Sequence, residues 1–310
     1  MKVVAISGGI GGAKLALGLD RVLPPGALTV IANTGDDFRH LGLHISPDID
    51  TLLYTLAGLD DPVRGWGRRD ETWTFMQALE RLGGETWFRL GDGDLATHVE
   101  RTRSLDGGAT LSAVTAELAA RLGIGSAIVP MSDAPVRTRV ETDEGWLDFQ
   151  HYFVRRQCQP RVVALAFEGA ASARPAAAAL AALADPELAA IVICPSNPYL
   201  SVDPILSVPG MAEALRASPA PVIAVSPIIK GQAVKGPTAK LMDEIGLVPS
   251  AATVAAHYGS LVDLFVLDEA DAGLDLGTQM ACVSAPTLMR TLDDKVNLAR
   301  RVLKLAERAT

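Results

Sequence analysis

Cysteine is scarce in this chain of 310 residues, aromatic side chains make up only 5%, and no apolar run reaches the roughly 20 residues that a membrane-spanning helix needs. The three cysteines, Cys158, Cys194 and Cys282, are odd in number and far apart. That excludes a disulfide framework and the paired spacing of a zinc site, and a reducing cytoplasm is expected. Basic charge is also in deficit, with 28 Lys and Arg against 36 Asp and Glu, for a formal charge of -8. A nucleic-acid backbone demands a basic footprint, so no nucleic-acid partner is expected. The first apolar run is short and stops at Gly8, which is not the pattern of a signal peptide, and no membrane partner is expected. A small anionic ligand stays possible, because local amides and a few cations can outweigh a distant net charge.

Ala, Leu, Val and Gly dominate, which suits helices packed closely on a sheet. Residues 2–6 read as a buried strand, the glycines of 8–12 as a turn, and 13–22 as a helix. A second strand over 28–32 runs into Asn33-Thr34-Gly35-Asp36-Asp37. From about 49 to 122 apolar spacing near 3.6 predicts helices at 50–59, 71–82, 96–105 and 111–122. Strands are predicted again at 126–130, 137–141, 145–149, 161–167, 190–194, 221–225 and 263–267, with an Ala-rich helix over 170–190 and a closing helix over 287–308. The whole is an α/β fold, a Rossmann-like doubly wound, mainly parallel sheet forming one domain over 1–310 with a helical insertion at about 49–122.

Chemistry-bearing residues gather just beyond the predicted strand ends. Gly8, Gly9, Gly11 and Gly12 form an anion-receptive strand-to-helix turn, though without the Walker A ending or the third glycine of the dinucleotide pattern. In Ser46-Pro47-Asp48-Ile49-Asp50 two carboxylates flank a helix start, where they can hold Mg2+ and a hydroxyl or merely cap the helix. Arg89, Asp92, Asp94 and His98 lie in or beside a glycine-broken acidic loop; the guanidinium can grip a phosphate or a ring carbonyl. Lys14 reads as a solvated helix residue. Ser196 and Asn197, and the loop from Ser226 through Lys230 to Lys235-Gly236-Pro237, add groups that suit phosphate or a purine edge. No ordered Ser-His-Asp set and no His/Cys metal cluster occurs. Physical chemistry alone reaches a protein that binds a phosphorylated ligand, with a divalent metal.

The ordered series Ser7-Gly8-Gly9, Asn33-Thr34, Ile45-Ser46-Pro47-Asp48-Ile49-Asp50-Thr51, Leu90-Gly91-Asp92, Ala96-Thr97-His98, Pro130-Met131-Ser132-Asp133, Phe149-Gln150, Pro195-Ser196-Asn197-Pro198 and Val225-Ser226-Pro227 resembles the 2-phospho-L-lactate transferase family of coenzyme F420 biosynthesis, called phosphoenolpyruvate transferase in many bacteria. The resemblance runs nearly end to end, with departures at Ala134 and Gly93. It implies a Mg2+-dependent transferase that moves phospholactate or phosphoenolpyruvate from a guanosine diphosphate carrier to the ribityl hydroxyl of the deazaflavin Fo, releasing GMP. It further implies a homodimer. Carried over by position, Asp50 and Arg89 meet Fo, and Asp48 or Asp50 binds Mg2+ or orients the hydroxyl. Gly8, Gly9, Gly11, Gly12, Asn33, Ser196 and Asn197 face phosphate or nucleotide. Two other readings compete: a non-catalytic nucleotide-sugar-binding regulator of the same superfamily, and an NAD-dependent oxidoreductase.

Overall fold

Apolar runs without polar alternation, such as residues 3–6 and 190–193, are stable only where both faces of a strand are covered. The computed structural model, which describes residues 1–62, 64–234, 236–277 and 280–309, covers them in that way. The first elements are β1 (Lys2–Ser7), α1 (Gly9–Val22), β2 (Leu28–Ala32), β3 (Phe38–His40), β4 (Leu43–Ile45) and α2 (Pro47–Leu56). There follow α3 (Thr74–Arg81), α4 (Asp92–Asp106), α5 (Leu111–Arg121), β5 (Ala127–Pro130), β6 (Arg137–Thr142), β7 (Gly145–Asp148) and β8 (Val162–Glu168). Next come α6 (Ala177–Leu183), β9 (Leu188–Ile193), α7 (Asp203–Leu206), α8 (Met211–Ala217), β10 (Val222–Val225), β11 (Ile228–Ile229) and β12 (Gln232–Ala233). The chain ends with α9 (Thr238–Glu244), α10 (Ala251–Tyr258), β13 (Leu264–Asp268), β14 (Ala281–Ala285) and α11 (Leu292–Ala309).

Seven strands form one parallel sheet in the order β14-β13-β10-β9-β1-β2-β5. The chain steps outward from β1 to β5, returns to β9 on the other flank of β1, and steps outward again to β14. Strand order therefore reverses between β1 and β9, and the crevice beyond their carboxyl ends is where open α/β sheets take ligands. Alternate residues of β1 serve two cores. Val3 and Ala5 pack with α1, α2, α5 and α11 on one face, while Val4 and Ile6 pack with α6, α8, α9 and α10 on the other. The antiparallel sheet β7-β6-β8 adjoins this second face through Val140 and Val162.

Several boundaries differ from the sequence expectations. The glycines from Gly9 to Gly12 are the first turn of α1, not a separate loop. Of the Ala-rich stretch only α6 is regular α-helix, because β9 already begins at Leu188. The hairpin β3–β4 was not anticipated, and α11 starts five residues later than the spacing suggests. Within residues 49–122, α2 and α5 contribute Ile49, Leu52, Val114 and Leu118 to the main core. Met76 and Leu90 instead join Ile45 in a small cluster of their own. No helix among the described residues is long and apolar enough to cross a membrane.

The first turn of α1 is pressed against the loop after β9. A Cβ on Gly11 would collide with the Pro195 carbonyl, and one on Gly12 with the hydroxyls of Ser196 and Ser7. Backbone cannot yield as a flexible side chain does. Gly11→Ala should therefore lower stability by about 1–3 kcal/mol, seen as a lower urea midpoint at unchanged slope; an unshifted midpoint would mean the turn has slack.

Candidate active site at the carboxyl edge of the sheet

The segments that follow β1, β9, β10 and β14 open onto one cavity of about 780 Å³. Gly8, Gly9 and Gly11 line it from α1, Asp48 and Asp50 from α2, and Ser196 and Asn197 from the loop after β9. Arg89 stands exposed at its rim with its guanidinium 4.5 Å from the Trp73 ring centre. Gly12 and Asn33, expected to face ligand, sit one layer behind: Gly12 packs under Ser196, and Asn33 holds Asp48. Trp66, Trp87, Phe88, Phe149 and Phe153 give the cavity an aromatic wall.

Asp48 does not cap its own helix. Its Oδ1 accepts from the Gly9 amide at the start of α1 (2.7 Å), and its Oδ2 accepts from the Asn33 side chain (2.9 Å). The same Asn33 NH2 group donates to Asp36 Oδ1 at 3.1 Å, so one amide bridges two buried carboxylates. Burial pushes the Asp48 carboxyl up to about 6 against the opposing pull of Asn33 and Gly9. Asp36 is driven well above the carboxylate range by burial and by the Asp48 charge. Asp37, behind them, is pushed up to about 7 by burial although Ser46 donates to it at 2.8 Å and Arg137 lies near. Three acids thus share a pocket too dry for three charges.

Asp50 is handled differently. Arg101, fully buried on α4, pairs with both of its oxygens, one through Nη1 at 3.1 Å and the other through Nη2. His98 lies between Asp50 (Nδ1 to Oδ2, 3.6 Å) and Asp94 (Nε2 to Oδ2, 3.2 Å), and Tyr54 donates to Asp94 at 2.6 Å. Asp50, Asp94 and His98 are close enough to hold a metal ion among them. Burial would raise Asp94, but His98 and Tyr54 outweigh it and draw the carboxyl down. Arg101 escaped the sequence reading because a lone Arg in a helix reads as solvated. One signal was present: Asp94, His98 and Arg101 recur at helical spacing where an ordinary amphipathic helix would carry aliphatics, and the buried face of α4 is in fact polar.

Other candidates serve the scaffold. Asp92 lies outside the cavity lining and accepts from the Thr74 and Phe75 amides (3.1 and 3.0 Å), so it caps α3. Asn197 Oδ1 accepts from the Tyr199 and Leu200 amides, which leaves its NH2 group for a ligand. Ser196 Oγ accepts from the Gly8 amide at 3.1 Å. Lys14 lines the cavity but donates to the Met289 carbonyl (3.1 Å). The Lys230 amide donates to Asp271, and Lys235 lies outside the described residues. At the departure Gly93, Arg68 donates to the glycine carbonyl at 3.1 Å.

The family model described as 2-phospho-L-lactate transferase CofD matches residues 3–283. The chain belongs to this family. It is 42% identical to the phosphoenolpyruvate transferase of Streptomyces griseus, with 99% of each chain covered, and 42% identical to that of Kitasatospora aureofaciens over 99% and 98%. The phosphoenolpyruvate transferase of Mycobacterium tuberculosis is 40% identical over 86% of both chains. The crystal structure of a UPF0052-family protein from Bacillus halodurans superposes with a TM-score of 0.62 at 16% identity, covering 97% of this chain and 98% of that one, which bears on the fold alone. The expected family and Rossmann-like fold are thereby established, and the chain is a transferase enzyme rather than a regulator or an oxidoreductase.

The carboxyl of Asp37 sits above its ordinary value, so the folded state binds a proton that the unfolded chain has already released, and stability falls as pH rises from about 4 to about 7. Asp37→Asn should be more stable than the parent at pH 8 and lose that advantage at pH 4, as followed by urea unfolding. A difference that does not vary with pH would mean Asp37 is ionised throughout.

Proposed function

We propose that the enzyme transfers a phosphorylated three-carbon acid, phosphoenolpyruvate or 2-phospholactate, from its guanosine diphosphate carrier to the terminal ribityl hydroxyl of Fo, releasing GMP in coenzyme F420 biosynthesis. The observation that carries this reading is a single cavity uniting an aromatic wall, buried carboxylates and the first turn of α1. A flat deazaflavin suits the aromatic wall. With the Gly8 and Gly9 amides taken by Ser196 and Asp48, a diphosphate suits the next amides of the turn, at Ile10 and Gly11, and the Asn197 NH2 group stands beside them for the nucleotide. At about 780 Å³ the space lies in the upper range for ligand pockets, as two substrates require.

The reaction forms a bond from the hydroxyl oxygen to the β-phosphorus and breaks the bond from that phosphorus to the oxygen that leaves with GMP; the hydroxyl proton passes by way of the orienting carboxylate to solvent. Positioning and charge neutralisation carry such a transfer. Asp48 and Asp50 supply carboxylates to orient the hydroxyl and to hold Mg2+. The residues fit such an ion: Asp36 and Asp48 crowd one Asn33 amide with burial-raised carboxyls, an excess of negative character that a cation relieves. Bound there, Mg2+ would neutralise charge on the donor diphosphate and on the GMP phosphate that departs. Arg89, at the rim beside Trp73, engages Fo as the ring enters.

The deciding experiment is calorimetric titration with Fo and, separately, with GDP plus Mg2+, with UDP-sugar and NADH as controls. Binding of Fo and GDP is expected; uptake of UDP-sugar without Fo would overturn the proposal. Arg89→Ala should weaken Fo more than GDP, and the reverse order would move Fo elsewhere in the cavity. Asp50→Asn should fold normally and lose at least about tenfold in turnover, roughly 1.4 kcal/mol of barrier; near-normal turnover would remove Asp50 from the reaction.

A further inference from the structure

A fully buried arginine is expensive, since its charge leaves water and only excellent geometry compensates, while an aliphatic side chain of similar volume would serve packing as well or better. Arg101 is such a residue, the largest fully buried side chain among those described, and it does not line the cavity. Its guanidinium faces a cavity carboxylate, Asp50, which is itself buried. Asp48, two residues earlier in the same helix, is held among the described residues by neutral donors, the Gly9 amide and Asn33. The two carboxylates of the Ser-Pro-Asp-Ile-Asp segment thus differ in kind. One has its charge balanced by the protein, and the other leaves that balance to whatever enters.

The arginine fork is aimed by a clamped helix. At the start of α4 the Glu71 carboxylate accepts from the Gly93 and Asp94 amides (2.7 and 2.8 Å), which fixes the first turn. Two turns on, the Thr102 hydroxyl accepts from the His44 amide of β4 (2.7 Å) and donates to the His98 carbonyl (2.7 Å). Arg101 lies between these two ties and faces the start of α2, where β4 leads. A single-point ammonium could neutralise Asp50, but it could not fix the rotation of the carboxylate as a planar fork does. A carboxylate has about four lone-pair sites, so two taken by the fork leave others for a hydroxyl.

We infer that Arg101 is a positioning residue: by pairing with Asp50 it reserves that carboxylate for the acceptor hydroxyl and leaves Asp48 as the carboxylate that meets the divalent cation. Arg101 touches neither substrate nor metal and acts through Asp50. The inference rests on the proposed transfer for the identity of the acceptor, whereas the division of the two carboxylates with respect to a cation does not.

Two binding measurements on the full chain test it, alongside turnover. Mn2+, read by electron paramagnetic resonance as a probe for the cation, should bind at least tenfold more weakly to Asp48→Asn and within twofold of the parent to Asp50→Asn. In Arg101→Gln the unbalanced Asp50 should become a cation ligand, so that adding Asp50→Asn now changes the Mn2+ affinity at least fivefold. Fo, titrated through its deazaflavin absorbance, should bind Arg101→Lys at least fivefold more weakly and turn over at least tenfold more slowly, with GDP affinity unchanged. If Arg101→Gln does not fold, Arg101→Lys still carries the metal comparison, because its ammonium keeps the charge and Asp50→Asn in that background should remain silent toward Mn2+. Equal loss of Mn2+ in Asp48→Asn and Asp50→Asn would overturn the inference, as would parental Fo binding and turnover in Arg101→Lys. Should the parent itself fail to bind Fo while the Mn2+ pattern holds, the acceptor in the proposed transfer is wrong and the role of Arg101 in separating the carboxylates stands.

Discussion

Strands β1 and β9 lie side by side, yet the chain leaves them toward opposite faces of the sheet, and the space between those two exits must be bridged by close packing. The first turn of α1 and the loop after β9 meet there, Gly11 against the Pro195 carbonyl and Gly12 against the Ser196 hydroxyl, contacts too close for a Cβ at either position. Everything in the cavity is referred to that junction. Asp48 is tied to the Gly9 amide, Ser196 to the Gly8 amide, and the start of α2 is drawn against the start of α1 by the first of these bonds. A shift of the junction would move the carboxylates and the nucleotide-facing loop together, so their mutual geometry is held by few atoms at short range.

Burial then sets the chemistry. Asp36, Asp37 and Asp48 are sequestered beyond what their hydrogen bonds can compensate, so their carboxyls resist ionisation. Asp50, in the same pocket, is matched by Arg101. An acid short of positive charge attracts a cation, while a balanced acid is an acceptor of fixed direction. The aromatic wall supplies the complementary half, a surface on which a flat ring loses water at little cost to order.

Much of this was legible in the sequence because parallel, doubly covered strands leave apolar runs with no alternation, and because polar clusters directly after such runs mark the carboxyl edge. Residues 2–6, 28–32 and 190–194 read correctly for that reason, and the acids at 48 and 50 lie in the cavity at that edge. What failed to show has physical causes. The β3–β4 hairpin turns on Leu41-Gly42, both with positive φ, where the usual cue is Asn-Gly or Asp-Gly, so the turn carried no recognisable mark. Arg101 was passed over because nothing local reveals that its partner lies fifty-one positions earlier. Asn33 and Gly12 were placed against ligand, whereas they act on Asp48 and Ser196; spacing fixes which edge a residue occupies but not which layer.

The helix that covers α1 is α11. Leu298, Ala299 and Val302 pack into the same core as Leu15, Ala16 and Leu19, and Gly18 is small because the Lys295 carbonyl presses against it. α1 and α11 are separated by every described element except β1, so the apolar flank of α1 is covered by a segment far away in the chain. Pairing of elements so far apart in a chain is intrinsically slow to form. The helix that presents its first turn to the β1–β9 junction is thus backed by one of the most distant contacts in the fold, and loosening α11 would be felt at the cavity through α1.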